Sequence, residues 1–396
     1  SNGLEKRPKL RFPGFDEPWQ TTLLSSVFAK NTQKNTDGRI TNVICNSAKQ
    51  GLIPQREYFD KNIANSDNTN GYYIIEENDF VYNPRKSADA PYGPISSYKY
   101  TEAGIVSPLY LCFRAKKEIN PAFFEWYFRS SAWHRYVYMS GDSGARHDRV
   151  SIKDDTFFAM PINIPSAHEQ AQIAIFLERI EQRIEMQRAL VDSLKKYKRG
   201  VVAAIFSHQL KFSDATGNPY PEWTSCTLQD AVDFLDGQRK PLESADRAKR
   251  QGQYPYYGAS GIIDYIDDFI FDEPLLLLGE DGANILNRST PLCFIAEGKY
   301  WVNNHAHVMR PKAGQNIKFL CELLESLDYT RYNTGTAQPK LNQDKCRRIG
   351  LALPVYEEQC HIADFLSAFD QRTDKAQSIL DYLLSNRDGL LQQLFI

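Results

Sequence analysis

The sequence contains 396 residues, of which 42% are apolar, and carries a formal charge of −2 at pH 7. This length and composition are typical of two or three folded domains and exclude a chain that is disordered throughout. The balance of 47 basic and 49 acidic residues excludes a whole-chain excess of positive charge as the basis for binding a partner. The seven cysteines form no CxxC pair, and no segment has the ~18 to 20 apolar residues of a membrane span, so we expect a cytoplasmic location.

The first part of the chain, residues 1–160, mixes strand-like and helical patterns. Runs rich in aromatic and aliphatic residues at 72–75, 79–83 and 109–114 are typical of strands. An apolar-faced helix is predicted over 121–137. These patterns predict a globular α/β domain.

Residues 161–208 have a different, uniform pattern. From position 173 to position 205, residues spaced alternately by four and three lie on one face of a helix. All of them are apolar except Gln187 and Lys198, so this face could form the seam with a partner helix. Such a heptad pattern predicts one long helix, and about 40 residues at ~1.5 Å per residue would extend for about 60 Å. In this segment we predict the seam of a helix pair at Ile173, Leu177, Ile180, Ile184, Val191 and Leu194.

The second part of the chain follows the same order. Residues 209–350 contain strand-like runs at 274–279 and 291–296 and an apolar-faced helix over 317–332, so they predict a second globular α/β domain. Residues 351–396 predict a second long helix. Its predicted seam residues are Ile362, Leu366, Phe369, Leu380, Leu383 and Leu390.

The two halves are related by an internal repeat. The stretch PSAHEQAQIAIFL begins at Pro165, and its near copy PVYEEQCHIADFL begins at Pro354, with each matched position 189 residues after its counterpart. The beginnings of the halves, 10–28 and 210–234, also match, whereas the segments between diverge. Matched polar interruptions favour packing of the two long helices on each other. Two separate amphipathic helices, each on its own core, are the alternative.

Catalytic motifs are weak in this sequence. Asp281 and Glu297, the latter within Glu-Gly-Lys, have the spacing with which many nucleases bind Mg²⁺. Such a spacing often arises by chance among charged residues, and the first half has no acidic counterpart. The patterns therefore favour a binding protein, with a stand-alone Mg²⁺-dependent DNA nuclease as the alternative.

Clusters of basic, aromatic and amide residues recur in the divergent segments of both halves. Such segments supply cations for phosphates and hydrogen-bonding groups for base edges. An isolated cluster of this kind is more often an ordinary solvated loop, but the recurrence in both halves favours contacts with DNA. The candidates in the first half are Arg85, Lys86, Arg146 and Arg149. Those in the second half are Arg239, Lys240, Tyr257, Ser260, Gln338 and Lys340, with 257–260 read as a loop.

Several motifs together resemble the specificity subunit of Type I restriction-modification systems. They are the two PxxxEQxxIAxFL helix starts, GTAQPKLNQ, the block YYGASGIIDYIDD to WVNNHAHV, and PKLRFPGF. The resemblance covers about 8–396, although GARHDRVSIKD in the first half departs from the GTAQPKLN form.

The resemblance implies two target-recognition domains separated by a pair of long antiparallel helices, with an approximate two-fold axis. It also implies a non-catalytic subunit that reads a bipartite, asymmetric DNA target. The implied partners are two methyltransferase subunits and restriction (motor-nuclease) subunits. S-adenosylmethionine, ATP and Mg²⁺ are then expected on those partners, and no cofactor or metal on this chain.

Overall fold

The computed structural model describes residues 7–55, 69–141, 148–335 and 338–396. The chain forms two compact units, the first made of Ser1–Arg188 and Ser378–Ile396 and the second of Ala189–Gln377. Each unit therefore combines segments of both long helices with one mixed α/β region. This confirms the predicted α/β fold class with two globular domains and two long helices.

The first unit is built on short strands. These are β1 (Gln20–Leu23), β2 (Phe28–Lys30), β3 (Ile44–Ser47), β4 (Gly51–Pro54), β5 (Tyr73–Ile75), β6 (Phe80–Tyr82), β7 (Ile95–Ser97), β8 (Gly104–Val106), β9 (Leu111–Ala115) and β10 (Pro161–Ile164). The helices that begin in this unit are α1 (Leu24–Val27), α2 (Pro121–Arg129), α3 (His134–Ser140), α4 (Asp154–Phe158) and the long α5 (Ala167–Phe206).

The second unit has a similar content. Its strands are β11 (Thr224–Thr227), β12 (Val232–Phe234), β13 (Gln251–Gly258), β14 (Gly261–Ile266), β15 (Phe271–Asp272), β16 (Leu275–Gly279), β17 (Cys293–Ala296), β18 (Lys299–Val302), β19 (Ala306–Pro311) and β20 (Gly350–Leu353). Its helices are α6 (Leu228–Ala231), α7 (Ser244–Lys249), α8 (Asn284–Asn287), α9 (Ile317–Ser326), α10 (Gln343–Arg347) and the start of the long α11 (Tyr356–Leu394).

The sheets repeat between the units. The first unit has an antiparallel sheet in the order β2-β9-β6-β7, and the second has one in the corresponding order β12-β19-β16-β17. A two-stranded ribbon, β1-β10 or β11-β20, pairs the start of each unit with the strand that precedes its long helix. A further sheet of the second unit, β14-β13-β18-β15, was not predicted from the sequence.

The core of the first unit is largely aromatic. Phe28 is buried, and its ring lies 5.4 Å from Phe80, 5.2 Å from Phe113 and 5.1 Å from Phe124, mostly edge to face. Such aromatic pairs contribute roughly 0.5–1.5 kcal/mol each beyond the burial of their area. The core of the second unit is mainly aliphatic and includes Leu276, Leu278 and Leu320.

The long helices run antiparallel, as was predicted. In the first unit Arg387 of α11 forms a 3.3 Å ion pair with Glu181 of α5, and in the second unit Lys198 of α5 forms a 2.6 Å ion pair with Asp370 of α11. The partner position on α11 therefore decreases as the position on α5 increases. Lys198 and Arg387 are repeat-related, and so are Glu181 and Asp370, so the two seam cations make the same ion pair in both copies of the repeat.

Two predicted helices end earlier than the sequence pattern indicated. The helix expected over 121–137 is interrupted between α2 and α3, where the indole of Trp133 donates a 2.9 Å hydrogen bond to the carbonyl of Phe128. The helix expected over 317–332 ends with α9 at Ser326, and the Tyr329 hydroxyl donates to the carbonyl of Leu324 at 2.8 Å. In both cases a buried aromatic side chain donates to a carbonyl in the last turn of the helix. None of the described helices has the length and apolar character needed to cross a bilayer.

Candidate nucleic-acid interface

Several loops of the second unit converge at the end of β16. The N–H of Leu341 donates to the carbonyl of Glu280 at 2.7 Å, and the N–H of Gly282 donates to the carbonyl of Pro339 at 3.0 Å. The segment that carries Gln338 and Lys340 is therefore fastened to the turn after β16.

The tip of the β13–β14 hairpin lies at the same end. A Cβ atom on Gly279 would lie only 2.6 Å from the carbonyl oxygen of Ala259, so this close backbone approach requires glycine. The approach brings the hairpin turn, which includes Ser260, beside the turn after β16. This arrangement unites segments that are far apart in the sequence.

A buried histidine, His307, contacts the segments that carry these loops. His307 is fully buried on β19, and its Nδ1 lies 2.7 Å from Oδ2 of Asp236, while Nε2 lies 2.8 Å from the carbonyl oxygen of Leu341. Both neighbours accept hydrogen bonds, so both ring nitrogens carry protons. Burial is the largest single effect and opposes this charge, but the hydrogen bonds and charge interactions with Asp236 and Cys346 together outweigh it and raise the pKa of His307 to about 10.

Asp236 is the acceptor that organises this cluster. It also accepts hydrogen bonds from the N–H of Val308 at 2.9 Å and from Nε2 of Gln343 at 2.7 Å. Burial opposes its ionisation, yet the hydrogen bond from His307 helps to hold the pKa of Asp236 below its ordinary value. One carboxylate thus links β19 to α10.

The predicted DNA-binding residue Arg239 belongs to this interior. Its side chain is only 14% exposed, and Nη1 donates to Glu280 at 2.7 Å and to the carbonyl of Ala306 at 2.8 Å. Glu280 also pairs with Nζ of Lys340 at 3.4 Å. The guanidinium of Arg239 is therefore occupied in holding the turn after β16.

The remaining predicted residues of the second unit differ in exposure. Lys240, Ser260, Gln338 and Lys340 are exposed. Tyr257 is half-buried in strand β13, where its ring packs 5.8 Å from Phe294 and 5.6 Å from Tyr300. The reading of Tyr257 as a loop residue was therefore wrong, because the basic-aromatic stretch continues into a paired strand.

An exposed histidine, His305, lies among these loops and was missed from the sequence. Its Nδ1 lies 2.7 Å from Oδ2 of Asp281, and Asp281 forms an antiparallel bridge with Lys340. The sequence signal was the HAH triplet, in which His305 lies just before β19 and His307 lies within this strand. His307 is the buried member of this triplet, and His305 is half-exposed.

The structure separates the two carboxylates of the nuclease alternative. Asp281 follows the end of β16, whereas Glu297 follows Ala296, which is paired with Leu275 at the start of that strand. A five-residue strand puts these ends roughly 15 Å apart, while carboxylates that share a metal must each lie within ~2.6 Å of it. The two residues are therefore too distant to bind one metal ion.

The first unit brings three of its four predicted residues together. Arg85 and Arg149 form an antiparallel bridge, flanked by a 2.9 Å hydrogen bond from the N–H of Lys86 to the carbonyl of Asp148. Arg85 and Lys86 are exposed, and Arg149 is half-buried, with an Nε that has no partner among the described residues. Arg146 lies outside the described residues.

The predicted seam residues lie on the packed faces of the long helices. In the first unit Ile173 and Leu177 share a core with Leu391 and Leu394, and in the second unit Ile205 shares a core with the start of α11. Ile180, Phe369, Leu383 and Leu390 are half-buried. The buried predicted residues are Ile173, Leu177, Ile184, Val191, Leu194, Ile362, Leu366 and Leu380.

The chain thus consists of two repeated α/β units, each with exposed polar loops and parts of two long helices. The family model described as Type I restriction modification DNA specificity domain matches residues 17–196 and 220–383. The chain belongs to this family.

Two curated relatives carry corresponding descriptions. The type I restriction enzyme specificity subunit S.HindORF215P of Haemophilus influenzae is 32% identical over 155 residues, which are 39% of this chain and 38% of that protein. The specificity subunit of the type I restriction enzyme EcoprrI of Escherichia coli is 28% identical over 154 residues, which are 39% of this chain and 37% of that protein. These matches span about two fifths of the relatives' length.

Solved structures share the fold over almost the whole chain. The type I restriction-modification S subunit from M. genitalium has a TM-score of 0.58 at 16% identity, with 98% of this chain and 99% of that chain covered. A chain from work on complex assembly and conformational transition of the type I R-M system has a TM-score of 0.59 at 14% identity, with the same coverage. At these identities the likeness supports the fold alone.

Proposed function

We propose that this chain is the DNA-specificity subunit of a type I restriction-modification complex. Each unit reads one half of a bipartite, asymmetric target in double-stranded DNA. The main support for this proposal is that the two units have the same strand order in their four-stranded sheets but present different polar loops. The loop of the first unit carries Arg85 and Lys86, and that of the second carries Gln338 and Lys340. A common frame with different loops suits the reading of two different half-sites by one chain.

The proposed chemistry assigns recognition to this chain and catalysis to its partners. Two methyltransferase subunits dock on it and use S-adenosylmethionine, and motor-nuclease subunits use ATP and Mg²⁺, in the cytoplasm. The separation of Asp281 from Glu297 supports a chain that does not cleave DNA by itself. We propose the seam of the helix pair as the spacer between the two recognition regions.

The near-neutral charge of the chain fits this division. A protein that neutralises many DNA phosphates loses affinity for DNA steeply as the salt concentration rises. Because this chain has a formal charge of −2, we propose that its partner subunits neutralise most of the phosphates. We expect DNA binding by the complex to have a steeper dependence on salt than binding by the isolated chain.

The test compares the purified chain with its complex with the methyltransferase subunit. The complex should transfer methyl groups from S-adenosylmethionine to DNA at a split site, and the isolated chain should neither methylate nor cleave DNA. Mg²⁺-dependent cleavage or methyl transfer by the isolated chain would contradict the proposal. Asp281→Asn together with Glu297→Gln would then show whether those carboxylates are responsible.

A further inference from the structure

His305 is held at three points although its ring is exposed. Its N–H donates to Oδ1 of the buried Asn303 at 2.8 Å, and its carbonyl accepts from the N–H of Glu280 at 2.9 Å. Its Nδ1 lies 2.7 Å from Asp281, and the side chain is 51% exposed. A side chain fixed in this way loses little additional freedom when it binds a ligand.

The partner of Nδ1 determines what the other ring nitrogen can do. An ionised carboxylate can only accept, so Nδ1 of His305 carries the proton that Asp281 accepts. In the neutral ring Nε2 is then an acceptor, and the bond from Nδ1 to Asp281 is the one hydrogen bond of this ring within the described part of the chain. His307 differs, because its Nε2 is already bonded to the carbonyl of Leu341.

The surroundings of His305 match those of a base-reading residue. Lys340 is bridged to Asp281, Gln338 belongs to the adjacent segment, and the hairpin turn that contains Ser260 lies against Gly279. Exposed polar groups thus flank the imidazole, while the Asp236–His307 cluster stabilises the loops beneath it. Base reading needs this kind of second layer, because a hydrogen bond distinguishes bases only if its direction is fixed.

Major-groove chemistry gives an acceptor a defined preference. Adenine N6 and cytosine N4 are hydrogen-bond donors, whereas guanine O6 and thymine O4 are acceptors. We propose that His305 reads one base of the second half-site, with Nε2 accepting a hydrogen bond from the exocyclic amino group of adenine or cytosine. Asp281 is a positioning residue that fixes the tautomer. This inference rests on the proposed function and deepens it.

The experiment uses the full chain in complex with its methyltransferase partner and a DNA library in which both half-sites are randomised. Methylated molecules are sequenced for the wild type and for His305→Ala, Asp281→Asn and the control His168→Ala, an exposed histidine of the first unit. His305→Ala should relax one position of one half-site, at which the wild type requires an amino-bearing base, by about 10-fold or more. Asp281→Asn should relax or change the same position, because an amide can also donate to Nδ1 and reverse the polarity of Nε2.

The outcomes separate this inference from the proposed function. A uniform loss of methylation without relaxation indicates a phosphate contact and overturns the inference, as does relaxation at a guanine or thymine, or an unchanged pattern. Relaxation by His168→Ala at the same position overturns it as well. A wild-type complex that selects no split site contradicts the proposed function itself.

Discussion

The N–H of Leu10 donates a 3.0 Å hydrogen bond to the carbonyl oxygen of Gln393, close to the end of the last long helix. The second unit contains the same contact, because the N–H of Leu210 donates to the carbonyl of Ala204 at 2.9 Å. Ala204 and Gln393 are repeat-related, and Leu10 and Leu210 open the two halves. In the second unit this hydrogen bond joins residues that are six apart in the sequence, whereas in the first unit it joins the two ends of the chain.

This equivalence predicts that the chain tolerates circular permutation. Five residues separate Ala204 from Leu210, and fusing Ile396 directly to Pro8 would also leave five between Gln393 and Leu10. A permutant that begins at Leu210 and ends at Gln209 should fold with a circular dichroism spectrum and thermal midpoint close to those of the parent. A fusion of Leu394 directly to Leu10, which is too short for the contact, is the control. An unfolded permutant would contradict the equivalence.

The ion pairs within the long helices predict a matched set of stability changes. Lys198 contacts Asp370 at 2.6 Å and Glu322 at 2.7 Å, and its side chain is 20% exposed. Lys198→Met should lower the free energy of unfolding by about 1–3 kcal/mol, because it leaves partly buried carboxylates with less compensation. Urea denaturation measures the change.

Two further variants at these helices make the test specific. Lys198→Arg should retain most of the stability, since an arginine, Arg387, occupies the repeat-related position. The exposed Lys196→Met should change the free energy of unfolding by no more than about 0.5 kcal/mol. An equal loss for Lys196→Met and Lys198→Met would assign the effect to the apolar substitution and not to the ion pair.

The Asp236–His307 pair predicts a dependence of stability on pH. The pKa of His307 is about 10 in the folded chain, above its ordinary value, so the stabilisation is complete below pH ~6.5 and is lost as pH rises to about 10. The free energy of unfolding should fall by up to ~1.4 kcal/mol per pH unit within this window.

His307→Gln is the control for this pH dependence, because glutamine cannot carry the charge. The variant should be less stable than the parent at pH 7, and the difference should shrink towards pH 10. Thermal unfolding followed from pH 6.5 to 10 measures both chains. A difference that stays constant over this range would show that the histidine is not protonated in the folded chain.

The sequence predicted regular features well and long-range clusters poorly. The heptad positions predicted both long helices, and the repeat was evident in the matched helix starts. His307 and Asp236, by contrast, are 71 residues apart, and no local pattern predicted their contact. The β13–β14 hairpin was hidden because Gly252, Pro255 and a bulge interrupt the alternation of its first strand.

The polar loops predict half-site-specific effects of substitutions. Gln338 is exposed on the segment fastened to the turn after β16, and Lys86 is exposed beside the Arg85–Arg149 bridge. Gln338→Ala should relax or weaken one half-site by about 1–3 kcal/mol, because the variant removes an amide able to read a base edge. Lys86→Ala should affect only the other half. Methylation of sites altered in one half at a time measures both effects, and equal losses at both halves would count against the assignment.

The most direct test of the account is to map methylated adenines in the DNA of a host that produces this chain with its methyltransferase partner. The account predicts methylation at a single asymmetric target made of two specific segments with an unspecific spacer between them. It also predicts that exchanging 209–350 for the corresponding region of a related subunit replaces one segment and leaves the other unchanged. Methylation at an undivided site, or a change of both segments after the exchange, would contradict the claim that each unit reads one half of the target.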